Sequence, residues 1–114
     1  MSWQGRWKNP GDPVNGSRVI GTQYTPSVIA YVEHFVTLSL TNTAGQTAQV
    51  DLLCDSANPP TVLRGRVSSN VVGVTVQQLA WISKPGDNVK LVATGTGASA
   101  IVAQWEIPIG AQTE

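Results

Sequence analysis

The chain has 114 residues, seven basic side chains against seven acidic ones, and only 12% charged residues in all. One domain of that length buries roughly two-thirds of its unfolded surface, so a core needs no metal or disulfide. The absent basic excess argues against nucleic acid as a partner. The single cysteine, Cys54, leaves no internal disulfide to form, and no run nears the roughly 20 apolar residues of a membrane span.

So few charges mean a surface of neutral polar side chains and backbone. That suits strands and turns better than helices, whose exposed faces usually carry Glu and Lys. Zero net charge also removes the self-repulsion that keeps free monomers apart. The composition therefore leans toward a chain that works inside an assembly. The first eight residues carry charges with no apolar stretch behind them, so no secretory signal is expected. Synthesis in a cytoplasm follows as the expectation.

Residues 1–16 hold Trp3, Trp7 and the turn-rich run from Asn9 to Gly16. No period of 2 or 3.6 is visible, and an extended N-terminal arm is expected. A β-sandwich domain is expected over 17–110, with a short tail over 111–114. Ser17 to Tyr24 reads as a first strand and Val28 to Val32 as a short second one. His34 to Thr41 alternates, with Val36, Leu38 and Leu40 on one face. Asn42 to Gln46 reads as a hairpin loop. Ala48 to Cys54 places Ala48, Val50, Leu52 and Cys54 inward.

Thr61 to Ser68 follows, with Arg64 and Arg66 on one face. Val71 to Ile82 reads as one strand with a bend. Lys84-Pro85-Gly86-Asp87 fits a type II turn, with Pro second and Gly third. Asn88 to Thr94 is a strand, and Gly95-Thr96-Gly97 a turn. Ala100 to Ile109 closes the domain, with Ile101, Ala103, Trp105, Ile107 and Ile109 on one face. Trp81 and Trp105 are expected in the core. About eight strands, with turn signals every 8–12 residues, give an all-β antiparallel sandwich, jelly-roll-like.

Candidate chemistry is sparse. His34 is the only histidine; a general-base role would need a nucleophile, and no G-x-S-x-G elbow is present. Cys54 alternates with Val50 and Leu52 and reads as a buried small apolar residue. A zinc site needs more Cys and His than the chain has. Asp51 and Asp55 would lie roughly 13 Å apart along a strand, too far for shared acid–base work. Asp12, Asp55 and Asp87 sit in loops that suit a hard cation, but no EF-hand spacing joins them. No catalytic residue, cofactor or metal is assigned.

The contact residues are easier to see. Trp3 and Trp7 each bring a large apolar area in a segment with no core pattern. Arg6 lies between them and Lys8 beside them, and Trp and Arg are enriched where interfaces concentrate their energy. Arg64 and Arg66 are candidates to pair with acidic groups on a neighbour, or to form an ordinary solvated face. Tyr31 adds apolar surface suited to a subunit contact.

Val19-Ile20-Gly21-Thr22-Gln23-Tyr24, Val36 to Asn42, Gly45 to Leu52, Lys84 to Leu91 and Ala103-Gln104-Trp105-Glu106 together resemble small β-sandwich modules of tailed-bacteriophage structural proteins. The resemblance covers about residues 19–109. The departure is Thr25 to Tyr31, where such modules carry a polar turn. The resemblance implies a non-enzymatic virion component, commonly a homotrimer. One expectation is a capsid decoration or cement protein bound to the major capsid protein or another virion protein. The other is a tail-fibre tip or receptor-binding module that contacts a host glycan or protein.

Overall fold

The computed structural model describes residues 18–109. The expected arm, 1–16, and tail, 111–114, lie outside them. Among the described residues there are six strands and no helix: β1 (Tyr31–Asn42), β2 (Ala48–Asp55), β3 (Leu63–Ser69), β4 (Gly73–Ser83), β5 (Asn88–Gly95) and β6 (Ala98–Ile109). They form two three-stranded antiparallel sheets, ordered β4-β1-β6 and β3-β2-β5.

The two central strands set this arrangement. In β1, Val32, His34, Val36, Leu38 and Leu40 alternate inward; in β2, Ala48, Val50, Leu52 and Cys54 do the same. Each stripe is too apolar to meet water, so the two sheets close face to face. Leu38, Leu40, Leu52, Val50 and Leu91 are fully enclosed in one shared core.

The expected first strands are corrected. Among the described residues of the Ser17 to Tyr24 segment, 18–24, there is no strand. Gly21 turns at φ +91°, and the segment touches β5 through one bridge, Tyr24 opposite Val89. The Gly21 amide also donates to the Leu91 carbonyl at 2.7 Å. Val28 to Val32 is not a strand of its own. The Ser27 hydroxyl accepts from the Ile29 and Ala30 amides at 3.1 and 3.0 Å, a local turn that competes with pairing. Six strands therefore replace the expected eight, short of a jelly roll.

Asn42 to Gln46 does turn, but it does not make a hairpin: β1 and β2 lie in different sheets. The Gln46 amide donates to the Thr43 carbonyl at 3.1 Å, and the chain crosses from one layer to the other. Only β2 to β3 stays within a sheet. At Lys84–Asp87 the turn is as read. Gly86 takes φ +83° and the Asp87 amide closes on the Lys84 carbonyl at 3.0 Å.

Candidate functional site

The inner face of β4-β1-β6 is polar at one end. His34 lies opposite Trp81 on β4 and Glu106 on β6, and Ser83 pairs one step away with Val32. The His34 ring stacks on Trp81 at 4.5 Å between centroids, 4° from parallel. Its Nε2 lies 2.9 Å from Ser83 Oγ, and its Nδ1 lies 3.6 Å from Glu106 Oε2. Arg18 donates two bonds to the Glu106 carboxylate, at 3.0 and 3.1 Å. The same guanidinium sits 4.1 Å over the Tyr24 ring. Gln104 Nε2 donates to the Arg18 carbonyl at 2.9 Å.

Ser83, His34 and Glu106 thus follow the order of a nucleophile, a base and an orienting carboxylate. The surroundings do not suit that chemistry. Ser83 is 1% exposed and His34 is 0% exposed, so no substrate atom reaches the hydroxyl. Burial, with Arg18's charge behind it, pushes the imidazole down to about 3. A base so far below neutral pH has little driving force for proton transfer. The contact to Glu106 is therefore between a carboxylate and a neutral ring, not an ion pair. A shallow cleft of about 240 Å³ lies nearby, but its walls are Arg18 to Ile20 and Ser99 to Ile101, and neither His34 nor Ser83 lines it. The sequence alone did not reveal this group, because it needs the pairing register of three strands that are distant along the chain.

Cys54 is fully buried, as its alternation predicted. Burial first, then the Asp87 charge, pushes its thiol up to about 11. The loop aspartates are occupied locally. Asp87 accepts from the Lys84 amide at 2.9 Å. Asp55 accepts from the Thr61, Val62 and Ala57 amides, which hold its carboxyl below the usual range, Thr61 first. Among the described residues no three such ligands converge, and Asp12 lies outside them.

Of the expected contact residues, Trp3, Arg6, Trp7 and Lys8 lie outside the described residues. Tyr31 is exposed at the start of β1. Arg64 and Arg66 are exposed together on β3, and each has a partner within the chain. Arg66 grips the Asp51 carboxylate through two bonds, at 2.6 and 3.2 Å, which holds that carboxyl below its usual range. Arg64 Nε donates to the Cys54 carbonyl at 3.1 Å.

Trp81 packs against the core as expected; Trp105 does not. The β1–β6 register slips between Thr37 and Leu38: Leu38 pairs with Ile101 and Thr37 with Ala103. The one-residue bulge at Val102 reverses the alternation. Ile101 faces inward, while Trp105 and Ile107 face outward, and Gln104 and Glu106 take the inner positions. Trp105 meets Phe35 on the outer face at 5.6 Å. On the same outer face β4 carries Val74, Val76 and Ile82, 66%, 60% and 53% exposed, opposite Thr41, Ser39 and Glu33.

The two outer faces are unlike. That of β3-β2-β5 carries Asp51, Asp55, Arg64, Arg66 and Lys90. That of β4-β1-β6 carries one charge, Glu33. No family model, curated protein or solved structure matches this chain.

Proposed function

We propose that this chain is a non-enzymatic structural protein of a bacteriophage virion, a capsid decoration or cement protein that assembles as a homo-oligomer, by expectation a trimer. Contact rather than catalysis is the part the geometry supports. The observation that carries it is an inversion of the usual surface. Among the described residues the one group with catalytic order is sealed in the core, while Tyr31, Val74, Val76, Ile82 and Val102 stand open on one sheet whose outer face has a single charge. Large apolar patches of this kind mark interaction sites. The virion assignment rests on the strand and turn motifs that resemble phage modules. In this reading the Trp3–Trp7 arm lies across capsid subunits.

A second reading, a tail-fibre tip or receptor-binding module, draws on the loop end of the sandwich. There Gln23 bonds Asn58 at 2.9 Å and Thr25 bonds Asn88 at 2.6 Å, all exposed. Neutral amides and hydroxyls of this type suit glycan hydroxyls.

The test mixes purified protein with phage heads stripped of minor proteins. Saturable binding to heads, weakened by Trp3→Ala with Trp7→Ala and unchanged by His34→Ala, supports the first reading. Binding to host cells that blocks infection supports the second. A defined turnover lost on His34→Ala overturns both.

A further inference from the structure

The geometry points to the outer face of β4-β1-β6 as the surface through which copies of this chain bind one another. The inference deepens the assembly reading above and rests on it only for the expectation that copies associate.

Three observations lead to a second copy. The first is charge. A face meant for water would resemble the other sheet's, where acidic and basic side chains alternate across strands and Arg66 grips Asp51. Here, in contrast, Glu33 is the only charged side chain on the outer face of three strands of eleven or twelve residues, Glu106 lying on the inner one. Such a face asks for no charged complement. With seven basic and seven acidic residues in the whole chain, like copies do not repel.

The second is area. Three strands spaced about 4.8 Å apart, each about 36 Å long, give a face of roughly 500 Å². Two such faces bury on the order of 1,000 Å², the lower bound for a specific protein interface. A small peptide or ligand would leave most of it wet.

The third is shape. The Phe35–Trp105 pair stands near the middle of the β1–β6 ladder; one same-face step along, Ile82 and Ile107 flank Glu33, and Val76 and Val74 continue the apolar positions of β4 beyond Gln78. A paired aromatic centre with branched aliphatics around it is how interface energy is usually concentrated. Sheets with such faces stack about 10 Å apart.

The experiment is sedimentation equilibrium on the full chain, as wild type and as Val76→Lys with Ile82→Lys. Both side chains are more than half exposed in the monomer, so the variant should keep its fold, which far-ultraviolet circular dichroism and thermal melting check. Thr94→Lys, on the charged sheet, is the control. The inference expects a wild-type mass that is a whole multiple of the monomer, a dissociation constant raised about 30-fold or more by the double variant, and no change in the control. A wild type that stays monomeric at high concentration overturns it. So does association that survives the double variant, or that disappears only with Trp3→Ala and Trp7→Ala. An oligomer that dissociates as expected yet never binds phage heads leaves this inference standing and removes the capsid reading.

Discussion

His34 is held neutral at the cost of acid sensitivity. Its ordinary value is near 6.5, and burial lowers it to about 3 in the folded protein. Between those values the unfolded chain binds a proton that the folded one refuses, so stability rises with pH across that window and falls on acidification. At pH 5 the loss from this one group is about 2 kcal/mol relative to pH 7. The depressed carboxyls of Asp51 and Asp55 contribute only at lower pH, because their stabilisation is lost as pH falls below the ordinary carboxylate range. Melting temperature should therefore drop between pH 7 and 5 in the wild type. The slope should flatten in His34→Gln, whatever that variant's absolute stability. Equal slopes would mean that the imidazole is not sealed as described. Cys54 gives a parallel check. Buried and held as a thiol, it should resist labelling by Ellman's reagent at pH 8 until denaturant is added; rapid native labelling would contradict its placement.

At the scale of elements, the crossings between sheets are where small residues are required. Gly95 ends β5 at φ +87°, and a Cβ there would collide with the Thr47 carbonyl oxygen. Gly45, in the β1–β2 crossing, also has positive φ, but open space surrounds it. Gly95→Ala should cost about 2 kcal/mol or more and Gly45→Ala about 1 kcal/mol, from chemical denaturation of each variant. Equal losses would mean that the Thr47 contact relaxes freely. The bulge at Val102 makes a different prediction. Deleting that residue would remove the extra position and leave Ile101 opposite Leu38 and Trp105 opposite Phe35, so the deletion should keep cooperative folding in chemical denaturation, whereas loss of the fold would mean that the bulge itself is required.

The same elements show how much the sequence disclosed. The inward stripes of β1 and β2 were plain, because burial of one face enforces a period of two. The Lys84–Asp87 turn was plain, because Pro and Gly fix its backbone. The partner of each strand was not, since alternation is the same whether the next strand pairs beside or packs opposite. That is why Asn42–Gln46 read as a hairpin. Nor was the bulge legible: nothing in Ala100 to Ile109 marks where the alternation reverses, and Trp105 was placed on the wrong side. Ser83 beside His34 required the register between β1 and β4. The apolar outer face depends on all of these, and it was not visible from any one strand.

Across the whole molecule, the sandwich divides its duties by sheet. Its interior is one core from Leu38 to Leu91, and truncating a fully buried member such as Leu38 to Ala should cost 2–5 kcal/mol, about the range for cores of this kind. The β3-β2-β5 sheet shows charge to water. The β4-β1-β6 sheet shows Val74, Val76, Ile82 and Val102, each more than half exposed. The polar group behind that sheet ties β1, β4 and β6 to Arg18, so the open face is backed by a fixed inner one. An interface on such a sheet needs little rearrangement on binding. The proposed role has this protein acting through that face within a virion. An image of the intact virion at side-chain resolution tests it most directly. The expected result is this chain on the shell, with Val76, Phe35 and Trp105 buried between copies and Lys90 toward solvent. A particle without the chain, or one in which those three side chains face open water, would contradict it.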